Sequence, residues 1–298
     1  LGQLHDDAYR QARSTATDTA AGLGHPAQNS RTNSVAIVKA NASRVQEALR
    51  VIEEFTRTAD AVLAQTAAEV RYSLYDHEVR ILEACGHNRR KQQLEEAKLC
   101  LITDPSTDDD SGRLVRHVNA ALDSGVTLVQ YRRKHGSDGL RLQEAKQLAE
   151  LCQSHHALFI VNDRIDLALL VNADGVHLGQ EDLPHNEARR LLGSEKLIGR
   201  STHALGQLQE AQQAGADYAG VGPVFATATK ADRQPAGLNW VKEACAAAHI
   251  PWFAIGGITA TTLPQVREAG ASRVAVVSAI MASDDPALAS RQLLDLLP

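Results

Sequence analysis

Two hydrophobic rhythms divide the chain near residue 98. Before it, apolar residues recur at three- and four-residue steps: Val35, Val38, Ala42, Val45, Leu49 and Ile52, then, past a break at residues 58–61, Leu63, Ala67, Val70, Leu74 and Ile81. Steps of this size line one side of an α-helix. Two helices in an antiparallel hairpin are therefore predicted, the second capped by Gly86. Residues 89–98 read as a polar linker. Further upstream, residues 1–33 are rich in Ala, Thr, Ser, Gln and Asn and are broken by Gly22, Gly24 and Pro26. A short helix over 4–21 and a loop over 22–33 are expected there.

After residue 98 the rhythm changes to short apolar runs of strand length. They cover 99–103, 126–131, 157–161, 175–178, 197–199, 218–221, 252–255 and 274–277. Helix-like segments separate them, at 111–124, 137–154, 164–171, 183–192, 205–214, 238–248, 262–269 and 286–297. Alternation of this kind makes right-handed βα units around a parallel sheet. Eight units in this length fit a compact (β/α)8 barrel over residues 98–298, preceded by a small all-α domain over 1–97. An open doubly wound sheet is the runner-up.

Composition narrows the class. The 298 residues carry a formal net charge of −5 and are 44% hydrophobic, an ordinary globular balance. Mild acidity argues against general nucleic-acid binding, so any basic site is local. No run approaches the roughly 18 apolar residues of a membrane span, and no signal peptide is visible. The four cysteines, Cys85, Cys100, Cys152 and Cys245, show no metal-binding spacing. A cytoplasmic protein with reduced thiols is expected. The chain opens on Leu1 and not Met, so its natural start is expected to lie upstream.

The chemistry gathers where the barrel would place it, just after the strands. Residues 126–136 begin as a buried strand and turn abruptly cationic, ending Gln130-Tyr131-Arg132-Arg133-Lys134-His135-Gly136. Because side chains alternate along a strand, Gln130, Arg132 and Lys134 project to one side and Tyr131 and Arg133 to the other. Asp163 and Asp182 follow neighbouring strands and can share a hard cation such as Mg²⁺, although each alone is better explained as a helix N-cap or turn residue. Arg132, Lys134 and Lys230, from separate loops, make a cradle suited to a pyrophosphate. Gly256, Gly257 and Ser278 follow strands seven and eight, the usual phosphate position of this fold, with Thr227 and Thr229 as hydroxyl donors. A Gly pair alone is weak, since strand ends need Gly simply to turn. His177 and His203 stand nearby as candidate acids.

These residues carry a family resemblance. The segments Gln130–Lys134, Asn162-Asp163-Arg164, 173–182, 220–230 and Ile255-Gly256-Gly257-Ile258 resemble thiamine-phosphate synthase over essentially all of 98–298, and Ala40–Arg50 resembles the N-terminal domain of a longer subgroup. The resemblance implies a (β/α)8 barrel joining 4-amino-2-methyl-5-(diphosphooxymethyl)pyrimidine to a 4-methyl-5-(2-phosphooxyethyl)thiazole, plain or carboxylated, and releasing pyrophosphate. It implies Asp163 and Asp182 as Mg²⁺ ligands and Arg132, Lys134, Ser201 and Lys230 as catalytic groups. Gln130, Tyr131, Arg133 and Asn162 join them at the pyrimidine diphosphate. Thr227, Ala228, Thr229, Gly256, Gly257, Val277 and Ser278 are implied at the thiazole phosphate. Arg200 departs from the family, which has a small apolar residue there. The partners expected are these two small molecules, with no nucleic acid and no membrane; a homo-oligomer through the helical region is left open. The competing reading is a barrel of the same fold that binds only the thiazole phosphate, to isomerise it or to regulate.

Overall fold

The computed structural model describes residues 34–103, 111–227 and 234–298. The chain divides into two compact units, one ending at Leu82 and the other spanning Glu83–Pro298. In the first, α1 (Ser34–Thr56) and the opening part of α2 (Ala61–Glu96) form the predicted pair. Gln46 Nε2 donates to Glu78 at 2.6 Å and Arg71 Nη2 to Glu53 at 2.9 Å. The partners run in opposite order along the two helices, so the pair is antiparallel. Ala42, Leu49, Ala64 and Ala67 are buried, but Val45 and Ile81 of the predicted stripes are exposed. Phe55, Val62 and Tyr72 are exposed as well.

The second helix corrects the expected boundary. It does not stop at Gly86 but absorbs the predicted linker and ends at Glu96. Glycine inside a helix costs about 1 kcal/mol, and here packing outweighs it. A side chain at Gly86 would crowd Arg90 Nη1. Left clear, Arg90 donates from Nε to Asp174 Oδ1 at 2.8 Å. Leu94 and Ala97 are buried in one cluster with Cys100, Leu128, Leu158, Leu197 and Phe253. Burying Leu94 alone is worth about 2 kcal/mol.

Eight parallel strands close into a barrel: β1 (Leu99–Ile102), β2 (Leu128–Tyr131), β3 (Leu158–Asn162), β4 (Gly175–Leu178), β5 (Leu197–Thr202), β6 (Tyr218–Val221), β7 (Trp252–Ile255) and β8 (Val274–Val276), with β8 paired to β1. Around them lie α3 (Ser111–Asp123), α4 (Asp138–Ser154), α5 (Ile165–Leu170), α6 (His185–Leu192), α7 (Leu205–Gln213), α8 (Gly237–Ala247), α9 (Leu263–Glu268), α10 (Ser278–Met281) and α11 (Pro286–Asp295). Alternation along the strands makes two cores. Cys100, Ile102, Leu128, Leu158 and Ile160 fill the barrel, while Leu101, Val129, Tyr131, Phe159 and Val161 pack outward with the helices. Beyond the predicted elements, α10 is added, and β5 continues past Gly199 through Arg200, Ser201 and Thr202. Ser201 and Thr202 join the ladder opposite Gly220 and Val221.

Candidate active site

A cavity of about 350 Å³ opens at the carboxyl ends of the strands. Its lower wall is apolar, from Cys100, Ile102, Phe253 and Ile255, and its rim is polar. Of the residues singled out in the sequence, Gln130, Arg132, Lys134, Asn162, Asp163, Asp182, Ser201, Thr227, Gly256, Gly257, Val277 and Ser278 all line it. Ala228, Thr229 and Lys230 lie outside the described residues. Tyr131 and Arg133 do not line it. They lie on the helix side of β2, where Tyr131 Oη donates to Glu144 at 2.7 Å and Arg133 Nη1 at 3.0 Å. Arg200 also stays outside, its guanidinium 3.5 Å from Leu183 O.

Backbone geometry sets the acidic pair. The Asp163 N–H donates to His177 O at 2.9 Å, and Asp163 sits in the left-handed region at φ 61°. Aspartate is one of the few side chains that tolerates this conformation. Asp182 Oδ2 accepts from Gly179 N at 2.5 Å, which holds the carboxylate inside its own loop. Arg132 is fixed by Thr103, whose Oγ1 accepts from Arg132 N at 3.0 Å and donates to Arg132 O at 3.1 Å. The glycine pair has a packing reason of its own. A side chain at Gly256 would overlap Pro223, and one at Gly257 would press on Ala226 O and Phe225. Glycine therefore lets the loops after β6 and β7 close on each other.

One part of the wall was not foreseen. Tyr218, the first residue of β6, points into the cavity and contacts His177, whose Nδ1 lies 3.2 Å from Tyr218 Oη. His177 Nε2 lies 2.9 Å from Ser201 Oγ, and Gln180 Nε2 donates to Ser201 O at 2.6 Å. Burial raises the Tyr218 phenol above its ordinary range, and a hydrogen bond from Gln130 acts the other way. The sequence signal was Gly199: a glycine within a strand marks a close approach. His203 Nδ1 stands 2.5 Å from Gly222 O.

Three carboxylates, Asp163, Glu181 and Asp182, and two cations, Arg132 and Lys134, at the mouth of a (β/α)8 barrel, over an apolar pocket, define an enzyme that handles phosphorylated small molecules. The family model described as thiamine monophosphate synthase matches residues 99–280, and the ThiD2 family model matches residues 1–80. A thiamine-phosphate synthase of Synechococcus sp. (strain WH7803) is 84% identical, the match covering 100% of this chain and 84% of the relative. One from Prochlorococcus marinus (strain MIT 9313) is 59% identical over the same shares. Among solved structures, thiamine phosphate pyrophosphorylase from Pyrococcus furiosus aligns at 35% identity and TM-score 0.62, covering 69% of this chain and 96% of that one. The chain belongs to the thiamine-phosphate synthase family, transferases of thiamine biosynthesis.

Proposed function

We propose that this cavity couples the diphosphorylated aminopyrimidine to the thiazole phosphate. The observation that supports it is the gathering of Asp163, Asp182, Arg132 and Lys134 on one wall, with Thr227, Gly257 and Ser278 on the same cavity's rim. The chemistry is a displacement at the pyrimidine's methylene carbon. Its C–O bond breaks with the electron pair leaving on the diphosphate. The thiazole nitrogen supplies the pair for the new C–N bond, so no proton need be removed. The main burden is charge on the leaving group. Arg132 and Lys134 would take it up, and one such preorganised contact is worth about 3 kcal/mol. Gln130, Asn162 and Ser201 would orient the pyrimidine, and Thr227, Val277 and Ser278 would seat the thiazole phosphate.

The residues present fit a magnesium ion. Among the described residues no three His, Cys, Asp or Glu side chains gather to hold a metal unaided. Two carboxylates completed by substrate phosphate oxygens is the usual Mg²⁺ arrangement. Asp163 and Asp182 would hold it, and when bound the ion shields the charge of the diphosphate. The competing reading, thiazole-phosphate binding alone, has no use for this acidic pair. The test is direct: both substrates with Mg²⁺, with pyrophosphate measured. Thiazole-phosphate binding without pyrophosphate release would overturn the proposal in favour of the competitor.

A further inference from the structure

Behind the cavity wall lies a buried ionic knot that the reaction itself does not touch. Glu144, on α4, is wholly buried. Its Oε1 accepts from Arg133 Nη1 at 3.0 Å and from Ser111 Oγ at 2.9 Å, and its Oε2 accepts from Tyr131 Oη at 2.7 Å. The Arg133 side chain is only 2% exposed, so this is an ion pair taken out of water. Such pairs are weak devices for stability. That raises the question of what this one positions.

The answer follows from alternation along the chain. Tyr131 and Arg133 interleave with Gln130, Arg132 and Lys134, which line the cavity. Fixing the outward residues fixes the aim of the inward ones. The backbone supports the same reading. Arg133 Nε donates to His135 O at 2.9 Å, bending the chain just after Lys134. Gly136, at φ 117°, leaves room for the Arg133 side chain in that bend. Arg141, also on α4, donates from Nη2 to Lys134 O at 2.9 Å. Helix α4 thus grips the cationic segment from behind.

We infer that Glu144 is a positioning residue of the reaction, setting Arg132 and Lys134 toward the diphosphate through its buried pair with Arg133. This inference rests on the reading of Arg132 and Lys134 as diphosphate ligands. It gives Tyr131 and Arg133 a part in diphosphate recognition without contact with substrate.

The test compares Glu144→Gln, the paired replacement Arg133→Met with Glu144→Leu, and Lys134→Ala, each by titration with inorganic pyrophosphate plus Mg²⁺ and, separately, with thiazole phosphate. Glu144→Gln is expected to weaken pyrophosphate binding about tenfold or more, as small displacements of binding groups do, and to leave thiazole-phosphate binding within about twofold. The paired replacement discriminates position from stability. Apolar partners of similar size are expected to restore the melting temperature while pyrophosphate binding stays weak. Recovery of both together, or equal losses for the two ligands, would overturn the inference, the knot then being structural only. It also fails if Lys134→Ala weakens pyrophosphate while neither knot variant does, and in that case the diphosphate reading survives. Unchanged pyrophosphate binding in Lys134→Ala would instead overturn the diphosphate reading and this inference with it.

Discussion

The ring of Tyr218 occupies the space that any side chain at Gly199 would need. The two face each other across the β5–β6 ladder, and a Cβ on Gly199 would stand only 2.1 Å from Tyr218 Cζ. Tyr218 cannot retreat easily, because it packs edge-on against Phe253, with centroids 5.9 Å apart, and against His177 at 5.4 Å. Gly199→Ala is therefore expected to destabilise the barrel by about 1–3 kcal/mol, as overpacking does. Because Tyr218 and His177 back Ser201, the same change is expected to raise KM for the pyrimidine diphosphate. Urea unfolding and steady-state kinetics check both; a variant as stable as the parent would contradict the packing argument.

Removing either acid is expected to stop turnover. Asp163→Ala or Asp182→Ala should lower kcat by about 10²-fold or more, the usual loss for a preorganised electrostatic contact. The defect should be steepest at limiting Mg²⁺. Rates within threefold of the parent in both variants would remove the metal assignment.

The two ends of the cavity are expected to respond separately. Lys134→Ala should impair use of the pyrimidine diphosphate and spare the thiazole phosphate. Ser278→Asp should do the reverse, by setting a negative charge where the thiazole phosphate is proposed to sit. Titration with each ligand alone decides, and matched losses would argue against two sites.

The place where the chain can be cut follows from Leu94. A protein starting at Glu83 keeps Arg90, Leu94 and every described cavity residue, and is expected to fold and turn over. One starting at Ala97 loses a side chain only 1% exposed and the Arg90–Asp174 pair. It is expected to melt earlier, since deleting Leu94 alone should cost about 2–5 kcal/mol. Light scattering on the longer version also reports on Phe55, Val62 and Tyr72. If copies of the chain meet through these exposed residues, their removal leaves a monomer.

The strands of the barrel were legible because each is a short apolar run covered on both sides, bounded by turn residues. The tail of β5 was not, because Arg200, Ser201 and Thr202 are polar and give no strand pattern. Their ladder partners come from other strands, β4 for Arg200 and β6 for all three. The continuation of α2 was hidden for a similar reason. Residues 89–96 look like a solvated linker until Arg90 meets Asp174, a partner distant in sequence. The cavity residues could be found because barrel loops bring them together in a fixed order. Tyr131 and Arg133 resemble substrate contacts because they stand in a contiguous motif, although alternation puts them on the far side of the strand. Tyr218 escaped because its role depends on a partner, His177, which lies on the far side of β5 and meets it over Gly199.

At Asp163 folding and the proposed chemistry pull in opposite directions. Its left-handed backbone, φ 61°, is one that glycine adopts without penalty and aspartate holds at a cost of about 1 kcal/mol. If Asp163 holds the metal as proposed, a selection scheme that rewards only heat resistance would favour Asp163→Gly and enrich sturdier but inactive proteins. Laboratory evolution of this barrel would then have to score product formation in every round, because the more comfortable residue lacks the proposed metal ligand.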